Sequence, residues 1–295
     1  MNFLRYSTSL LFILFGLTLK LSAQFELPPL SAKGKIIQQV GYAEIEIEYE
    51  RPSVRGRKIF GGLVPWNKVW RMGAGYCTKI RLSEEVQIGK QRIPKGYYSL
   101  HSIPTPEAWT IIINSDTTLY GSYGYDIKKD VARFQVPTEK SARFYETFTI
   151  DVDLVPNNAW IYVSWANTQI KFELKTRTDE KMQAYIRENL LTGKSKNADE
   201  YLTAADYYFY QGENSQDAIL LLDKALKLDS TVFAYRLKMD FLEKLGRNKE
   251  ALEMANKGLY LAKTRELADE KGRQEEIKFW EEAIQKIEVK INPGK

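Results

Sequence analysis

Cysteine and histidine are almost absent from this chain: each occurs once, as Cys77 and His101. A single cysteine closes no disulfide within the chain, so burial alone must hold the fold together. The pair leaves no transition-metal site of ordinary composition, and no metal or cofactor is assigned. A Cys–His dyad would need both residues, but a lone histidine within a strand-like run such as Tyr97–Ile103 is usually surface or structural. No serine sits in a G-x-S-x-G elbow. Paired carboxylates are scarce too: Asp151 and Asp153 share a strand face, a spacing more typical of a solvated face than of a glycosidase pair. Asn114-Ser115-Asp116 through Asp126 lacks the twelve-residue calcium loop pattern. No catalytic residue is therefore assigned. After residue 23 no apolar run is long enough to cross a bilayer as a helix.

What is present begins with a leader. Arg5 precedes an apolar run, SLLFILFGLTL, and Leu21-Ser22-Ala23 precedes Gln24. That is the pattern of a cleaved signal peptide over residues 1–23, and it predicts an exported, periplasmic or secreted protein with no membrane span after cleavage. Residues 24–177 hold 21 Lys+Arg against 16 Asp+Glu, and residues 178–295 hold 20 against 22. So modest and local a basic excess argues against nucleic-acid binding.

Residues 24–35 read as an extended, loosely attached lead-in containing Pro28 and Pro29. From Val40 to Glu50, Ile45, Ile47 and Tyr49 alternate with glutamates, the signature of a half-buried strand. Strand-like runs follow at Thr78–Leu82, Val86–Ile88, Tyr97–Ile103, Trp109–Ile113, Val131–Val136, Phe144–Val155, Ala159–Trp165 and Gln169–Lys175. The last two are read as a hairpin across Ala166-Asn167-Thr168. Many short strands with no helical pattern between them predict a β-rich antiparallel sandwich or barrel over residues 36–177.

After Thr178 the period becomes helical and a weak repeat shows. Tyr208 and Phe241, Ala218 and Ala251, and Ala225 and Gly258 are 33 apart, and Gly212 and Gly246 are 34 apart. That period resembles a divergent pair of tetratricopeptide repeats, although the conserved Trp and closing Pro are missing. A helix from about Lys271 to Val289, with Ile277, Trp280, Ile284 and Ile287 on one stripe, would cap them. Residues 178–295 are thus expected to form an all-α, tetratricopeptide-like domain offering a surface to a protein or peptide partner.

The stretch Arg51–Gly75 stands apart. It carries six cations (Arg51, Arg55, Arg57, Lys58, Lys68, Arg71), no carboxylate, five glycines and two tryptophans, Trp66 and Trp70. Guanidinium forks suit anions, indoles offer flat faces, and glycines let backbone approach a ligand. Two readings stay open: arginines that satisfy backbone carbonyls around a long loop, or a pocket for an anion. The loop Tyr120–Asp126, with three tyrosines spaced by Gly and Ser, is either an adaptable contact surface or a turn packed on its own sheet edge. The candidate ligand-binding residues are Arg55, Arg57, Trp66, Trp70, Arg71 and Tyr123.

The run YERPSVRGRKIFGGLVPWNKVWRMGAG, then IPKGYYSL and AWTIIIN, resembles exported proteins sharing domain of unknown function 2911, over roughly residues 36–175. The resemblance implies export from a Gram-negative bacterium and a compact β-rich domain, and brings no assigned activity. Where that family usually reads Gly-Ala-Asn, this chain has Gly73-Ala74-Gly75. The expected function is an exported, non-enzymatic binding protein whose β domain recognises a small anionic ligand, glycan or peptide. The alternatives are an envelope hydrolase using Asp or Glu groups and a purely structural envelope-assembly factor.

Overall fold

A computed structural model describes residues 27–265 and 270–292; the predicted signal peptide lies outside the described residues. The chain divides into two compact units, with the boundary between Thr176 and Arg177.

The first unit holds two antiparallel sheets. One has six strands in the order β1 (Ala32–Val40), β2 (Ala43–Arg51), β3 (Thr78–Leu82), β6 (Gly96–Pro104), β7 (Ala108–Asn114), β8 (Asp130–Pro137). The other orders β5 (Gln91–Ile93), β4 (Val86–Ile88), β10 (Asn158–Thr176) and β9 (Glu139–Val155). Inward residues of both share a single core, in which Ile45, Ile47, Ile80 and Ile111 of one sheet join Phe148, Ile161, Val163 and Leu174 of the other. In β2 the predicted alternation holds residue by residue: Ala43, Ile45, Ile47 and Tyr49 are buried. The outward glutamates meet cations across the sheet, Glu46 with Lys35 at 2.7 Å and Glu44 with Arg81. Such exposed pairs set register more than they stabilise.

Two expectations need correction. The lead-in is not loose at its end, because β1 starts at Ala32 and pairs with β2 along its whole length, from Ala32 opposite Arg51 to Val40 opposite Ala43. As an edge strand with most of its residues exposed or half-buried, it carries no strong apolar period to read. Nor is there a hairpin at Ala166-Asn167-Thr168. β10 runs through it, and the register against β9 shifts on both sides of Ala166, whose φ is +53°. A β-bulge therefore stands where a turn was expected. The turn lies between β9 and β10, at Pro156-Asn157.

Among the described residues the second unit contains six α-helices: α1 (Thr178–Tyr185), running into a π-helical turn at Ile186–Leu190, α2 (Ala198–Gln211), α3 (Ser215–Leu228), α4 (Val232–Lys244), α5 (Asn248–Thr264) and α6 (Glu270–Ile291). α2 packs on α3, α4 on α5, and α5 on α6. The residues matched in the repeat fill corresponding places. Tyr208, Phe241, Ala218, Ala251 and Ala225 are buried. Gly212 and Gly246 end α2 and α4 in left-handed conformations, at φ +73° and +71°. Among the described residues no helix is long and apolar enough to cross a membrane.

Candidate functional site

The chain leaves β2 at Arg51 and does not re-enter a sheet strand until Thr78. In between, the acid-free block is tied first to one sheet, then to the other. Ser53 bridges Thr147 of β9, with Val54 N–H donating to Glu146 O (2.7 Å) and Phe148 N–H to Pro52 O (2.9 Å). Further on, Trp70 and Ser102 of β6 exchange backbone hydrogen bonds of 2.7 and 2.8 Å. The block thus spans both sheets. Its hydrophobic underside is aromatic: Phe60 contacts Trp66, Trp70, Trp109 and Trp165, and Trp70 stacks on Trp165 at 5.9 Å and 16°.

Three of the arginines tie the loop to oxygens of the protein, and only Arg57 does so within the loop itself. Arg51 donates to Phe148 O (3.2 Å) and Thr149 Oγ1 (3.0 Å). Arg57 reaches back to Val54 O (3.0 Å) and Ser53 O (2.5 Å). Arg55, at φ +48°, donates its amide to Glu146 Oε1 (2.9 Å) and its guanidinium to Leu30 O (2.8 Å). Carbonyl oxygens satisfy donors without cancelling charge, and among the described residues none of these guanidinium groups forms an ion pair. Arg71 differs. Its Nε is buried with no hydrogen-bond partner among the described residues.

Arg55, Arg57 and Arg71, but not Arg51, line a cleft of about 510 Å³. Arg55, Arg57, Lys68 and Arg71 supply four cations, the half-buried Trp70 supplies indole surface backed by the buried Trp165, and no aspartate or glutamate is among the lining residues. The volume falls in the range that holds small molecules. Of the six residues singled out from sequence, Arg55, Arg57, Trp70 and Arg71 meet here. Trp66 lies outside the lining, packed on Phe60 and over Gly61, where a Cβ would stand 2.3 Å from the indole nitrogen. Tyr123 also stands outside it, exposed at the loop surface, while its neighbour Ser122 lines the cleft. Trp70 can offer a ligand only part of its surface, since Trp165 covers one face. Sequence reasoning missed Trp165 and the Leu30-Ser31 wall, which reach the cleft only through strand pairing far along the chain.

Residues 31–174 match DUF2911, a family described as a protein of unknown function. The match runs from just before β1 to Leu174 of β10 and so takes in every cleft-lining residue but Leu30; helices α1 to α6 lie beyond it. No curated protein and no solved structure matches the chain. Gly75, where the family pattern usually has Asn, sits at φ +56°, and a Cβ there would fall 2.4 Å from Glu50 Oε1. With Glu50 so placed, this chain has no room for a side chain at that position.

The remaining chemical groups are accounted for by packing. Cys77 is buried and burial pushes its thiol pKa up, the reverse of an activated thiolate. His101 is fully buried. Its Nδ1 lies 3.4 Å from Ser99 Oγ and its ring packs on Tyr125 at 5.6 Å. Burial lowers its pKa, opposed by the Gly121 backbone and by Asp130 and Asp116. Asp130 binds Tyr125 and Arg133, and Asp116 binds Lys129 and Thr118. Asp151 and Asp153 are exposed on β9.

Proposed function

We propose that this is an exported, non-enzymatic binding protein whose β domain takes a small anionic ligand in the cleft between Arg57 and Arg71. One observation carries the reading: four cations line one open cleft, and no carboxylate is among its lining residues. Guanidinium groups that face no carboxylate keep their charge for a small oxyanion. The indole surface beside it suits a ligand with an apolar or ring portion next to its charge. Arg55 and Arg57 serve both purposes, bracing the loop and contributing positive potential. The helical unit, with its paired left-handed glycine turns, is assigned a tetratricopeptide-like role in holding a protein or peptide partner.

The test is a thermal-shift screen of the full chain against phosphate, sulfate and small carboxylates. A ligand at about a hundred times its Kd adds about 2.7 kcal/mol. Arg71→Ala is expected to keep the melting temperature of the free protein and abolish that gain. Ligand stabilisation that survives the substitution would place the site elsewhere. Export is tested by fractionation and N-terminal sequencing, with Gln24 expected as the first residue.

A further inference from the structure

The cleft does not end at Arg71. Gly75–Cys77 and Leu119–Gly121 form a short antiparallel ladder: Cys77 N–H donates to Leu119 O (3.0 Å) and Gly121 N–H to Gly75 O (2.9 Å), with Tyr76 bridged to Tyr120. Cys77 and Leu119 are buried, whereas Tyr76 and Tyr120 are 57% and 59% exposed. Their rings meet edge to face at 5.2 Å and 90°, so each props the other upright. The pair adjoins the cationic end of the cleft. Gly121, next to Tyr120, lies against the Arg71 guanidinium, and Ser122 is part of the cleft lining. The Glu50 carboxylate sits at Gly75, the residue paired with Gly121, and Lys33, Glu48 and Lys79 stand around the same side of Tyr76.

Two exposed, mutually perpendicular phenol rings thus stand beside the Gly75–Gly121 pairing that Arg71 adjoins. We propose that Tyr76 and Tyr120 form a saccharide platform, and that the ligand is an acidic oligosaccharide with its charged unit at Arg71 and a neutral sugar on the tyrosines. The proposal rests on the anion-binding reading of the cleft and extends it. Open, upright phenol rings suit the flat C–H face of a pyranose and leave a hydroxyl at the edge for its oxygens. An apolar peptide side chain would need an enclosing pocket, which the exposure of both rings does not provide. Neither phenol carries a charge to pair with, so the unit stacked on them is assigned as neutral.

The experiment is calorimetric titration of the full chain with a hyaluronan oligosaccharide, whose carboxylates alternate with neutral sugars, and a keratan sulfate oligosaccharide, which carries sulfate and no carboxylate. Which of the two binds identifies the oxyanion. Chitotetraose, free glucuronate, inorganic sulfate and a polyglutamate peptide are the comparators. One acidic oligosaccharide is expected to bind more tightly than its free anion, and chitotetraose is expected not to bind. Tyr120→Ala should weaken the oligosaccharide about five-fold while leaving the free anion unchanged, and Tyr120→Phe should restore it. Tyr76→Ala should act in the same direction. Unchanged oligosaccharide affinity in both alanine variants overturns the platform while leaving the anion cleft standing. Equal or tighter binding of polyglutamate, or no binding of either acidic oligosaccharide, also overturns it. Free-anion binding that ignores Arg71→Ala sinks the cleft reading itself.

Discussion

Arg71 and Gly121 are in contact across the mouth of the cleft: a Cβ on Gly121 would stand 2.7 Å from Arg71 Nη1, and Gly121 itself sits at φ +69°. The glycine therefore meets two demands at once, a left-handed backbone and space for a guanidinium. Gly121→Ala is expected to cost about 1–3 kcal/mol in urea denaturation, from backbone strain. It should also displace Arg71 and weaken anion binding. A variant of unchanged stability would show that the guanidinium and loop move apart freely.

Arg57 and Arg71 line one cleft but should respond differently to truncation. Arg57 closes its loop through Ser53 O and Val54 O, so Arg57→Ala should lower the melting temperature of the free protein as well as ligand affinity. Arg71 has a buried nitrogen with nothing to lose, so Arg71→Ala should leave the unliganded melt almost unmoved and reduce affinity alone. Differential scanning calorimetry with and without sulfate separates the two. Equal destabilisation by both substitutions would contradict this division of labour.

Much of this was legible because it is written in short-range pattern. The strands β3 and β4 follow from alternation and flanking turns, and β2 from its run of isoleucines between glutamates. The cationic block was visible because six cations without an acid is a property of composition. Its geometry was not. Trp165 reaches the block only through pairing between strands far apart in the chain, and Trp66 turns away because Gly61 leaves a seat for its ring. β1 and β5 went unread for a related reason. Each has few buried residues, so it carries little of the periodic signal that burial imposes. The bulge at Ala166 looked like a turn because Asn and Thr follow it, and only the long partner strand β9 holds β10 straight through it.

The stability of the β domain should depend on pH through His101. Its pKa is lowered from the usual 6.5 by burial, so the unfolded chain binds a proton more readily than the folded one. The contribution is whole above pH 6.5 and is lost as pH falls through the folded value, after which the slope flattens. Asp116, also lowered, acts in a separate window below its usual 3.8. Urea midpoints measured between pH 7.5 and pH 5 should fall with acid, about that range being where an ordinary histidine titrates. His101→Gln should flatten the decline. A decline that persists in the variant would assign it to other groups.

In the helical unit the decisive contact is between Gly258 of α5 and Trp280 of α6. A Cβ on Gly258 would stand 2.5 Å from the indole ring, and Trp280 is fully buried. Two effects oppose each other in Gly258→Ala. Helix propensity favours alanine by about 1 kcal/mol in a helix interior. Overpacking against a rigid indole costs about 1–3 kcal/mol, because no flexible side-chain end is there to yield. The collision is expected to win, giving a net loss in urea denaturation followed by far-UV circular dichroism. Trp280→Ala removes the ring altogether and should cost about 3–5 kcal/mol. The double variant separates the terms: once the indole is gone, alanine at 258 has nothing to strike and should be neutral or stabilising. If Gly258→Ala destabilises equally with and without Trp280, the two helices are not held by this contact.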